Sequence, residues 1–271
     1  MRSFEDAVVV VTGAANGIGR ATALTFARLR ARLALADIRP LAEVADGVAA
    51  AGGTARTFEL DVRDRDRVND LAAAVLSEFG RADVVVNSAG VLILGEMRLV
   101  PPDDLRWIMD TNFWGVAHVV QAFLPSMIER GSGHFVNISS PNALAPVPYV
   151  GAYSASKAAM TMLSETLRLE VAKHGIGVTT VCPGFTRTGL RGEARYRADT
   201  AAKAEFLIGL RKRIERREID PFRVARKIPG AVRRDRALVR ISPETYLVSW
   251  AYRFTPRLFR KVSESLFRRT A

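Results

Sequence analysis

The sequence predicts an α/β protein, a doubly wound and mostly parallel sheet with helices on both faces. Three observations lead there. Short apolar runs alternate with segments of helical period from residue 7 to residue 181, the first run feeds a glycine-rich turn that opens a helix, and no low-complexity tract or repeat breaks the pattern. Parallel neighbours need a crossover, and a helix is the usual one, so this alternation implies helices packed on either side of one sheet.

Taken in order, residues 7–11 are an Ala/Val run that reads as the first strand. Residues 18–29 follow with Ile18, Ala21, Ala23, Leu24 and Ala27 on a helical period. Residues 31–36 form the second strand, ending at Asp37, and 41–50 the next helix. A strand over 55–60 precedes a helix over 65–79, whose Val68, Leu71, Ala72 and Val75 share a face. Residues 82–86 are a strand, 104–127 one long amphipathic helix, and 133–138 the strand that delivers Ser139 and Ser140. After a proline-rich loop come a helix over 154–173 and a strand over 177–181.

Past residue 190 the pattern weakens. Residues 1–271 read as a single catalytic domain with 7–190 as its core, 190–240 as a substrate-side excursion or lid, and 243–271 as a basic helical C-terminal extension. Within the lid, Phe206, Leu207, Leu210 and Ile214 make an apolar helical face. Thr255-Pro256 is a helix start, followed by Leu258, Phe259, Val262, Leu266 and Phe267.

Composition excludes several classes. With 48% hydrophobic and 25% charged residues the chain is neither disordered nor collagen-like, and its one cysteine, Cys182, rules out an intrachain disulfide framework. His118, His134 and His174 have no metal-ligand spacing with it, so no metal is expected. No apolar run reaches the roughly 18 residues of a membrane span, and no signal peptide is read at the start, so a cytoplasmic or peripheral membrane location is expected. The net charge of +12 is uneven: residues 1–210 hold 22 basic and 22 acidic side chains, residues 211–271 hold 18 and 6. That surplus suits an anionic membrane surface or a solvated face. Scattered arginines without a recognition module argue against sequence-specific nucleic-acid binding.

The turn Thr12-Gly13-Ala14-Ala15-Asn16-Gly17-Ile18-Gly19 joins the first strand to the first helix. Its glycines allow close backbone approach, and N–H groups at the helix start can receive a pyrophosphate. Asp37, 18 residues after Gly19, can accept from an adenosine ribose and would repel a 2′-phosphate, which favours NAD; Arg39 beside it leaves NADP open. Asp61 and Val62 can border the adenine, and Asn87-Ser88-Ala89-Gly90 can approach the cofactor or stabilise a sheet turn.

Tyr153 and Lys157 stand four apart at a helix start, hence on one face. There Lys157 can lower the phenol's effective pKa and hold a nicotinamide ribose hydroxyl while Tyr153 exchanges a proton with an alcohol or carbonyl oxygen. Ser140 can bind that oxygen. Ser139 is its rival, since alternation sends the two to opposite faces. Asn112, inside a helix, can hold a water or a backbone carbonyl and extend the proton path from Lys157.

Together these motifs resemble the classical short-chain dehydrogenase/reductase family over roughly residues 7–190. In that likeness Asn112, Ser140, Tyr153 and Lys157 are the catalytic residues, and the Gly13–Gly19 turn holds the cofactor. Pro183 and Gly184 belong to the segment approaching nicotinamide, with Thr188 suited to its carboxamide. Ser88 departs from the family pattern, which commonly has a second Asn there. The resemblance implies a seven-stranded Rossmann-like sheet, a homodimer or homotetramer, and reversible alcohol/carbonyl chemistry. The expected substrate is a lipophilic alcohol, ketone or aldehyde, met by Leu92, Ile93, Leu94, Val147, Tyr149, Phe185 and Leu190. The alternative is a nucleotide-sensing module that binds a membrane or a partner protein without turnover.

Overall fold

The computed structural model describes residues 3–187, 194–215 and 218–268, with side chains through 209 and 265 in the helices closing the last two spans. Seven parallel strands form the central sheet in the order β3-β2-β1-β4-β6-β7-β9. They are β1 (Val8–Thr12), β2 (Arg32–Asp37), β3 (Thr54–Glu59), β4 (Val84–Asn87), β6 (Gly133–Ile138), β7 (Ile176–Cys182) and β9 (Leu238–Arg240). The helices α1 (Gly17–Ala27), α2 (Ala42–Ala50), α3 (Arg65–Phe79), α5 (Gly115–Arg130) and α6 (Gly151–Val171) make the crossovers. The order reverses between β1 and β4, and a crevice opens at the carboxyl ends of strands flanking such a reversal.

Alternation of side chains sorts the valines of β1 onto two cores. Val9 and Val11 pack with Phe26, Leu33, Leu35 and Val136 on one face, while Val8 and Val10 pack with Phe123, Met127, Phe135 and Met160 on the other. Every residue of β1 is buried, as a central parallel strand covered on both faces requires. Helix-end chemistry is also local: the Asp64 side chain accepts from the N–H groups of Asp66 and Arg67 to start α3, and Gly80 at φ +76° ends it.

The structure corrects three expectations. The helix read over 104–127 is interrupted: α4 (Pro102–Met109) leads into a π-helical turn, Asp110–Trp114, before α5. The π turn inserts a residue into the helical repeat and faces Thr111 and Asn112 inward. Residues 92–95, read only as apolar lining, include β5 (Ile93–Gly95), which pairs in parallel with β8 (Arg195–Arg197) in a second small sheet. Residues 190–240 are only in part an excursion. After α7 (Ala201–Glu215), the helices α8 (Pro221–Ala225) and α9 (Ile228–Arg233) bury Val224, Ile228 and Val232 in the first core, and β9 is the last strand of the main sheet. These apolar side chains need cover, and α1 with the sheet edge supplies it. The chain then ends in α10 (Pro243–Phe254) and α11 (Pro256–Arg268).

Candidate active site

A cleft of about 330 Å³ runs over the strand ends, within the size range of small-molecule sites. One end holds Gly13, Asn16, Ile18, Asp37, Asp61 and Val62, the other Ser140, Tyr153, Lys157, Pro183 and Gly184.

The glycine turn is built for close approach. Gly13 has φ +66°, and a Cβ there would come within 2.5 Å of the Ala89 nitrogen. A Cβ on Gly19 would fall 2.0 Å from the Gly13 oxygen, so Gly19 seats α1 against the turn. Asn16, at the N-cap of α1, makes no side-chain cap, and the helix start faces the cleft uncovered by its own residues. Asp37 is buried, with Oδ2 accepting from Ala15 N at 2.9 Å and Oδ1 from Arg39 N at 3.0 Å. Arg39 Nε also approaches Oδ1 at 3.3 Å, so both side chains proposed to read the ribose form one unit.

Asp61 is gripped by Arg63 through Nε, at 3.0 and 2.9 Å to its two oxygens, and this guanidinium holds the carboxyl below its ordinary range. Val62 packs against the start of α5: a Cβ on Gly115 would lie 2.6 Å from Val62 Cγ2, so the glycine lets the helix and the loop after β3 meet. Ala89 and Gly90 line the cleft. Asn87 instead points into the sheet, donating to Asn137 Oδ1 at 2.8 Å; Asn137 in turn donates to Ser164 Oγ at 2.8 Å. Its side chain thus couples β4 to β6 and α6.

At the other end, Tyr153 and Lys157 occupy successive turns of α6 and both are buried. Lys157 Nζ donates to the Ile138 carbonyl at 2.8 Å, which pins the ammonium at the end of β6 beside the serines. Burial pushes Lys157 down to about 8, with Cys182 acting weakly in the opposite sense. Ser139 and Ser140 separate as alternation requires. Ser139 Oγ is paired with Thr161 Oγ1 at 2.7 Å, while Ser140 Oγ accepts from Asn142 N at 3.2 Å; both residues line the cleft. Asn112 is fully buried and lies behind the wall rather than in it. Its Oδ1 accepts from Val91 N, and its Nδ2 donates to Val91 O and Ser156 Oγ. Gly90 packs closely here, where a Cβ would sit 3.2 Å from Asn112 Oδ1 and 3.5 Å from Lys157 Nζ.

Of the apolar side chains expected on the substrate side, Leu92, Leu94, Val147, Tyr149 and Phe185 line the cleft. Ile93 faces the small core, and Thr188 and Leu190 lie outside the described residues. Sequence reasoning missed Trp107, which lines the cleft with Arg195 stacked 3.6 Å above its ring. It also missed Lys203, which donates to Tyr149 Oη at 3.1 Å and pairs with Glu96 at 3.2 Å. Neither had a motif; each depends on contacts between segments about 50 to 100 residues apart.

Residues 7–199 match the family model described as short chain dehydrogenase. The chain belongs to the short-chain dehydrogenase/reductase family. "Probable oxidoreductase EphD" of Mycobacterium tuberculosis is 36% identical over 267 residues, 96% of this chain but 45% of that protein, so the chain spans about half the length of this relative. Oxidoreductase UcpA of Escherichia coli is 35% identical across 83% of this chain and 86% of its own length. Among solved structures, a short-chain dehydrogenase/reductase from Burkholderia phymatum in complex with NAD is 30% identical, with a TM-score of 0.88, covering 95% of this chain and 96% of that one. A short-chain dehydrogenase from Streptomyces avermitilis is 33% identical, with a TM-score of 0.84, over 98% and 100%. This short-chain dehydrogenase/reductase chain shares with them the seven-stranded parallel sheet flanked by helices.

Proposed function

We propose that the protein is an NAD-dependent oxidoreductase that interconverts a lipophilic alcohol with its ketone or aldehyde. The carrying observation is that one cleft joins the Asp37 end to the Ser140, Tyr153 and Lys157 end. The set fits a dinucleotide: Gly13 has φ +66° and lets the turn approach the Ala89 backbone more closely than a Cβ would allow, and α1 offers an uncapped N-terminus to the cleft. When bound, NAD supplies the acceptor or donor of hydride.

In this reading Asp37 receives the adenosine ribose hydroxyls and disfavours a 2′-phosphate, with Asp61 and Val62 beside the adenine. Arg39 spends part of its charge on Asp37, which supports NAD over NADP. Ser140 Oγ donates to the substrate oxygen and orients it. Tyr153 Oη takes the alcohol proton in oxidation and returns it to the carbonyl oxygen in reduction. Lys157, charged below about pH 8, stabilises the phenolate in that exchange and positions the nicotinamide ribose. Asn112 acts through Val91 and Ser156, holding the wall behind these groups. Leu92, Leu94, Trp107, Val147, Tyr149 and Phe185 support an apolar substrate body. Exposed Trp114, Met162 and Leu169 support assembly into a homodimer or homotetramer.

The test is nicotinamide absorbance with hydrophobic alcohols plus NAD or NADP, and with ketones and aldehydes plus the reduced cofactors. Turnover faster with NAD is expected. A folded, nucleotide-binding protein inert in both directions with both cofactors would overturn the reading.

A further inference from the structure

We propose that the outward surface of α10 and α11 docks on an anionic lipid bilayer. A surface helix normally buries its apolar row and exposes its polar one. Helix α10 does the reverse. Leu247, Trp250 and Phe254, spaced three and four apart on one face, are 68%, 59% and 62% exposed, whereas Thr245 is buried. Polar contacts anchor the start of α10, where Ser242 Oγ at the N-cap and Thr245 Oγ1 lie 3.0 Å apart and a Cβ on Gly184 would come within 2.5 Å of Ser242 Oγ, while Val248, Ala251 and Tyr252 are half-buried. Helix α11 continues the theme with Leu258 and Val262 one turn apart and exposed, while its Phe259 packs edge-on to Tyr252 at 5.4 Å and joins the two helices.

Charge selects the occupant. Arg253, Arg257, Arg260 and Lys261 are exposed among these apolar side chains, and residues 243–271 hold six basic and two acidic side chains. A second copy would bring the same positive charge against this face, whereas an anionic headgroup layer neutralises it and admits Trp250 and Phe254 to the acyl boundary. Each basic side chain near such a surface strengthens binding roughly five-fold. Among the described residues no helix is long and apolar enough to cross a membrane, so the contact is interfacial. The inference is separate from the chemistry of the cleft and is scored without turnover.

The experiment is co-sedimentation of the full chain with vesicles of phosphatidylcholine alone and with roughly one-third phosphatidylglycerol, at about 0.1 M and about 1 M salt. Binding at least ten-fold stronger to the anionic vesicles, and weakened by salt, is expected. Two exposed-surface variants locate it: Leu247→Gln/Trp250→Gln/Phe254→Gln, and Arg253→Gln/Arg257→Gln/Arg260→Gln/Lys261→Gln. Each should lose ten-fold or more while keeping the wild-type circular dichroism and solution mass. The proposal is overturned by negligible binding to either vesicle, by equal binding to both, or by variants that bind like wild type. A drop in solution mass in the first variant would also overturn it, since the face would then hold a second copy.

Discussion

Asn112 holds both ends of the Val91 peptide, accepting from its N–H at 2.8 Å and donating to its carbonyl at 3.0 Å. The same amide donates to Ser156 Oγ, whose hydroxyl donates to the Tyr153 carbonyl at 2.9 Å. One buried side chain therefore ties the wall after β4 to the helix that carries Tyr153. Asn112→Ala leaves a buried N–H and carbonyl without this partner and should cost about 3 kcal/mol by chemical denaturation. It should also lower kcat more than it raises KM, because the reacting groups shift while the apolar lining stays.

On the proposed mechanism, Tyr153→Phe removes the proton carrier and keeps the ring. It should fold with wild-type stability to within about 1 kcal/mol, bind nucleotide, and lose turnover by at least about 100-fold, the scale of a lost general acid–base group. Nucleotide titration beside steady-state rates checks both halves.

Lys157→Met should trade activity for stability. Burial lowers the folded-state pKa from 10.5 to about 8, so the folded state carries a desolvation penalty that is full below pH 8. Between pH 8 and 10.5 the unfolded chain binds more protons, and wild-type stability rises with pH. The variant should be more stable by about 1 to 3 kcal/mol near pH 7, allowing for its lost bond to Ile138, and that gap should narrow by pH 10. A constant gap across this range would count against the charged, buried lysine.

His134 sets an acid limit. Thr179 Oγ1 donates to the Arg236 carbonyl at 2.7 Å, so at 2.8 Å it accepts from Nε2–H, which fixes a neutral tautomer. Burial lowers His134 from 6.5 to about 4, outweighing the pull of Asp235. Between pH 6.5 and 4 the unfolded chain takes up the proton first, so stability falls as pH falls, by up to about 3 kcal/mol. Melting curves of wild type and His134→Gln at pH 7 and pH 5 should show the smaller acid loss in the variant.

Asp104 joins α4 to β8 by accepting from Arg195 Nη1 and Arg197 Nε, both at 2.6 Å. Desolvation pushes its carboxyl up, but the two guanidiniums outweigh it and hold the pKa below the ordinary value. Asp104→Asn leaves two cations facing an amide and should cost about 1 to 2 kcal/mol, less than for a fully buried pair because both arginines reach solvent. Faster proteolysis within residues 194–199 would report the loosened strand.

The strand and helix periods, the Gly13–Gly19 turn, Asp37, and the Ser140, Tyr153 and Lys157 set were legible in the chain because their physics is local. Side-chain period, glycine freedom and a four-residue helical spacing act within one element or one turn, and with the family resemblance they specified the parallel sheet and where its crevice opens. Other features depend on segments far apart in the chain meeting. Local reading made 104–127 one helix, since the register shift at Asp110–Trp114 is favourable only where Asn112 can reach Val91. It left Asn87 between approaching the cofactor and stabilising a sheet turn, and the bond from its Nδ2 to Asn137 Oδ1 on the neighbouring strand is a contact no local pattern marks. It read 190–240 as a lid, although Val224, Ile228 and Val232 find their burial against α1 and the sheet. Periodicity marks which face of a helix is apolar; only the packed structure decides whether that face turns inward, and in α10 Thr245 is buried while Leu247, Trp250 and Phe254 turn outward.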